Sequence, residues 1–80
     1  MVAHMQARGR TIRRKREASG YGLTAFARRV EISPSHLSRI ERGKANPSPD
    51  VLKRIAVALQ RAQRDRDAIA EIADTQEEEQ

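Results

Sequence analysis

Ser35, Ser38, Arg39 and Arg42 recur at the i, i+3, i+4, i+7 spacing that gathers side chains on one face of a helix. Such a stripe offers hydroxyls and guanidinium forks, groups that recognise acceptors by hydrogen bonding and charge. Nothing in the chain turns that recognition into catalysis. There is no acid/base pair, no nucleophile–base pair and no glycine-rich phosphate loop, so the sequence does not read as an enzyme. Cysteine is absent, which removes disulfides and thiolate metal sites and suits a reducing cytoplasm. The two histidines, His4 and His36, are far apart and fall short of a four-ligand metal site. No metal and no cofactor are expected.

Charge indicates what the stripe would meet. Over residues 1–64, 15 Lys and Arg stand against four acids, a balance of +11. Over residues 65–80 a single Arg66 stands against seven acids, a balance of −6. A basic body with an acidic end points to a polyanion as partner of the body. No apolar run is long enough to span a bilayer, and the first residues lack the apolar stretch of a secretory signal. The expectation is a cytoplasmic protein without a membrane partner.

The elements that must hold the stripe are all helical, because no strand-like alternation occurs. Residues 1–9 carry no periodicity and read as a mobile basic arm. A first helix is expected over 10–19, ended by Gly20. A second, over 23–30, buries Leu23, Phe26, Ala27 and Val30. Ser33-Pro34 is a strong start for a third helix over 33–42, with Leu37 and Ile40 pointing inward. Ser48-Pro49-Asp50 starts a fourth, with Val51, Leu52, Ile55, Ala56 and Leu59 as its apolar face. Residues 61–73 form one more amphipathic helix or extend the fourth. Residues 74–80 are almost all acid and Gln and read as a disordered tail. The fold class is a compact all-α domain of four to five helices, with residues 10–60 as its functional unit.

Two of these helices are joined by the short break at Glu31-Ile32. The first has an apolar face, and the second has one buried and one polar edge. That is the layout of a helix-turn-helix, in which the second helix reads bases. Residues 12–59 resemble the phage-repressor helix-turn-helix family (Cro/C1-type, xenobiotic-response-element-like, lambda-repressor-like) of transcriptional regulators. The most specific stretch is ISPSHLSRIERGK over 32–44, followed by Asn46-Pro47-Ser48.

The resemblance implies a role for individual positions. Base readout falls on Pro34, Ser35, Ser38 and Arg39. Phosphate contacts fall on Arg42, Lys44 and Asn46, with Thr24 and His36 added from the start of the second helix and the first turn of the third. Arg16 and Glu41 occupy the places of an internal ion pair. Arg39 is the strongest reader, since a guanidinium can hold guanine O6 and N7 together. Pro34 suits a thymine methyl, and the third helix has no Asn or Gln to read adenine, so the expected half-site contains guanine. Three positions depart from the family pattern. Glu31 stands where the turn usually has Gly, Leu23 where the second helix usually offers a polar residue, and Lys15 where the first helix usually has a large apolar one.

The implied function is sequence-specific double-stranded DNA binding by a transcriptional regulator, a repressor most often in this family. Ile69 and Ile72 are candidates either for capping the core or for pairing a homodimer that reads two half-sites. Two other readings stay open. A DNA-binding antitoxin would share the domain and engage a protein partner, its toxin, through the C-terminal segment. A protein-interaction module would use the helices without DNA.

Overall fold

The computed structural model describes residues 8–73. Four helices follow in order: α1 over Gly9–Ala18, α2 over Leu23–Arg29, α3 over Pro34–Glu41 and α4 over Pro49–Ile72. No strand occurs among the described residues.

Local chemistry sets each boundary. Ser33 and Ser48 accept hydrogen bonds from the amides of His36 (3.0 Å) and Val51 (3.2 Å), and a proline follows each serine. These caps satisfy orphan amides at the starts of α3 and α4. At the far end of α3, the Gly43 amide donates to the Ile40 carbonyl (3.1 Å) and the Lys44 amide to the Arg39 carbonyl (2.7 Å). This double closure is a Schellman motif, and it needs a left-handed residue at its pivot. Gly43 takes that role at φ +76°. The same pair of bonds ends α1 at Gly20 and Tyr21, and ends α2 at Glu31 and Ile32. Glu31 is therefore a glutamate held at φ +65°, where a Cβ is disfavoured.

The core joins one side of every helix. Phe26, Val30, Leu37, Ile40 and Ile55 are its largest fully buried side chains, and Ile12, Ala27, Val51 and Ala58 complete it. Each large side chain contributes about 1.5–3 kcal/mol by leaving water. Tyr21 lies against Phe26 with ring centroids 5.4 Å apart.

Several expectations change. Gly9 does not belong to an arm: it is buried and opens α1. A Cβ there would lie 2.4 Å from the Ile40 carbonyl oxygen and 2.5 Å from that of Glu41, so α1 and α3 meet backbone to backbone. The rest of the expected arm, residues 1–7, and the acidic tail, residues 74–80, lie outside the described residues. No separate helix covers 61–73; α4 runs unbroken through it, because no Gly or Pro interrupts residues 50–72. The buried face of α4 carries Val51, Ile55, Ala58 and Ala62, while Ala56 is exposed. Ser33 and Arg42 cap α3 rather than lie within it.

Candidate nucleic-acid interface

The packing of α3 decides what it presents outward. Leu37, Ile40 and Glu41 are buried, which turns Pro34, Ser35 and Arg39 to solvent and leaves Ser38 half-buried. Those four residues line an open cleft together with Leu23 and Arg42. The floor and rim of this cleft thus combine two hydroxyls, two guanidinium groups and two apolar side chains. Its arginines are held loosely. Arg39 Nη2 lies 3.4 Å from the Lys44 carbonyl oxygen and Arg42 Nε 3.4 Å from that of Ser38. Contacts of that length leave both guanidinium groups free to exchange partners.

The other expected contact residues surround the cleft without lining it. Lys44 and Asn46 are exposed in the loop after α3. Thr24 is exposed in the first turn of α2, whose N-cap, Gly22, has no side chain to satisfy the first amides. His36 is half-buried, with its amide committed to Ser33. Leu23 is half-buried and packs against the core, so the α2 start supports the cleft with apolar surface.

Behind the cleft, Arg16 of α1 grips the last residue of α3. Its Nε and Nη2 donate to the Glu41 carboxylate at 2.7 and 3.0 Å, and its Nη1 donates to the Tyr21 carbonyl at 2.9 Å. Both charged side chains are buried. The hydrogen bond to Glu41 raises the Arg16 pKa against the opposing effect of burial. A raised guanidinium value means that its stabilisation is complete below the ordinary value and is lost only above it, so Arg16 keeps its charge across physiological pH. One side chain thus ties α1, α3 and the chain entering α2 into a unit.

Sequence reasoning missed three supports. Gly9 allows the α1–α3 approach, and the unpatterned residues around it carry no signal for that contact. Arg54 of α4 donates to the Val30 carbonyl at 2.8 Å, covering the end of α2. Arg66 donates to the Ala18 carbonyl at 3.0 Å and bonds Gln63, covering the end of α1. Neither arginine differs in the sequence from a solvated one.

A tight α2–turn–α3 unit with a polar outer face on α3 is now established, and residues 9–69 match the model of a protein family described as a helix-turn-helix domain. The chain belongs to that helix-turn-helix family. The match runs past residue 60 and takes in most of the α4 extension. Among curated relatives, an uncharacterized HTH-type transcriptional regulator of Mycobacterium tuberculosis is 43% identical over 51 residues, covering 64% of this chain and 36% of that protein. The HTH-type transcriptional regulator SlrR of Bacillus subtilis is 42% identical over 53 residues, covering 65% and 35%. The chain therefore spans about a third of the length of these relatives. Among solved structures, the clp gene regulator ClgR from Corynebacterium glutamicum is similar at a TM-score of 0.62 and 27% identity, over 85% of this chain and 90% of that one. The helix-turn-helix domain accounts for the all-α class and for the order of α1 to α4.

Proposed function

We propose that this helix-turn-helix domain is a sequence-specific binder of double-stranded DNA, that it regulates transcription as a repressor, and that it reads the major groove with α3. The observation that carries this is the α3 cleft, where Arg39 stands exposed between Ser35, Ser38 and Pro34. A major groove admits one helix, and an unshielded guanidinium on its outer face matches the two acceptors of a guanine. Arg42, Lys44 and Asn46 serve the backbone from the end of α3 and the loop after it, and Thr24 and His36 serve it from the first turns of α2 and α3. The relatives, named as transcriptional regulators, support the regulatory role. The described helices supply site occupancy, which fits repression by obstruction. A homodimer, presenting two α3 helices to two half-sites about one turn apart, is part of this reading.

The test is selection of bound sequences from a random double-stranded DNA pool, run beside Arg39→Ala. The wild type is expected to enrich a guanine-containing half-site, and Arg39→Ala to lose about 1–3 kcal/mol of discrimination at one position. No enrichment by the wild type refutes sequence-specific binding. An unchanged motif with Arg39→Ala refutes the assignment of Arg39.

A further inference from the structure

The three large apolar side chains that stand exposed among the described residues all lie on α4: Val57 at 45%, Ile69 at 61% and Ile72 at 80%. At about 100° per residue they fall within one third of the helix circumference. Arg61, Asp65 and Ala68 share that strip, with Arg64 on its border, and all four are exposed. Beyond Ala62, the last buried residue, α4 continues to Ile72 for about 15 Å with no side chain buried. Arg66 fixes the root of this extension to the end of α1. Single exposed apolar residues need no explanation, but three aligned on one anchored helix do.

The spacing Val57, Arg61, Arg64/Asp65, Ala68, Ile72 is that of a seam between two helices, with steps of three and four residues. Its charge pattern selects the partner. If two copies of the strip run antiparallel about a two-fold axis between positions 64 and 65, each residue faces the one whose number completes a fixed sum. Arg64 then faces Asp65 of the second copy, and the reverse holds at the symmetric site. Val57 faces Ile72 of the second copy at both ends, and Arg61 lies over Ala68, with its stem beside Ile69. The charges complement each other at the centre and the apolar groups meet at the ends. A parallel pairing would instead place Arg64 on Arg64 and Asp65 on Asp65, which repels. Among the described residues neither Arg64 nor Asp65 has a salt-bridge partner within its own chain.

We propose that this α4 strip is the docking surface for a second copy of the chain, in an antiparallel isologous register centred between Arg64 and Asp65. That a dimer forms belongs to the function proposed above; its surface, direction and register are what the strip adds. A two-fold arrangement of this kind makes the same patch meet itself, so each central pair occurs twice.

The test measures the molar mass of the full chain by light scattering or sedimentation, without DNA, across a concentration series. The wild type is expected to be a dimer. Arg64→Asp sets aspartate against Asp65 at both symmetric sites and is expected to weaken the dimer at least about tenfold. Asp65→Arg alone is expected to do the same. The double variant Arg64→Asp/Asp65→Arg exchanges the charges and is expected to restore the dimer. All these positions are exposed, so helicity by circular dichroism stays at the wild-type level. A monomeric wild type overturns the proposal. So does a dimer indifferent to Arg64→Asp and Asp65→Arg, or a double variant that stays monomeric. These outcomes are independent of DNA: a failed DNA selection leaves the mass series intact, and a failed mass series leaves half-site enrichment intact.

Discussion

Replacing Glu31 by glycine is expected to stabilise the domain. Glu31 pivots the turn between α2 and α3 at φ +65°, and the two hydrogen bonds that close α2 hold it there. A residue with a Cβ pays about 1–2 kcal/mol in this region. Glycine avoids that cost but loses more freedom on folding, which takes back about 0.5–1 kcal/mol. The net gain is about 0.5–1 kcal/mol, or a few degrees in melting temperature, since 1 kcal/mol moves a domain of this size by about 4–8 °C. Glu31 also lines an open cleft with Arg29, Lys53, Arg54 and Arg61 but makes no ion pair with them, so losing its charge removes at most a weak, screened attraction. Glu31→Ala separates the two effects, because it removes the charge and keeps the Cβ. Thermal unfolding followed by circular dichroism at low and high salt should rank glycine first, with the wild type and alanine below it. If the glycine and alanine variants melt together at both salt concentrations, backbone strain at position 31 is not what the turn stores.

Three further outcomes follow from the geometry. Gly9→Ala places a methyl group against two carbonyl oxygens of α3, so α1 must shift; a loss of about 1–3 kcal/mol is expected in denaturant unfolding. Arg16→Ala leaves the Glu41 carboxylate buried without its partner and is expected to cost about 3–5 kcal/mol, enough to unfold much of the population at 37 °C; a normal melting curve would count against the role given to this pair. Lys44→Ala is expected to weaken DNA binding equally for all sequences and to reduce the slope of log affinity against log salt by about one, read from titrations at several salt concentrations.

Much of the architecture was legible because its signals are local. The Ser-Pro pairs at 33–34 and 48–49 announce two helix starts, and the apolar spacing of Leu23, Phe26, Ala27 and Val30 shows which face of α2 turns inward. The outward stripe of α3 was legible for the same reason, since Leu37 and Ile40 fix the opposite face. What escaped was long-range. The burial of Gly9 depends on carbonyl groups about thirty residues away, and no periodicity in the first residues points to them. Arg54 and Arg66 cap helices 24 and 48 residues distant, and in sequence they look like any arginine of a charged helix. The continuity of α4 was ambiguous because residues 61–68 are mostly polar, and polarity weakens a pattern without ending a helix.

The three short helices are closed by main-chain hydrogen bonds, and their core is apolar. Neither depends on mobile ions. At molar salt the screening length falls to about 3 Å, which releases contacts between exposed cations and phosphates. The Arg16–Glu41 pair lies behind the protein surface, where such screening is weak. A concentrated salt wash should therefore strip bound nucleic acid during purification and deliver a folded protein, ready to rebind on dilution.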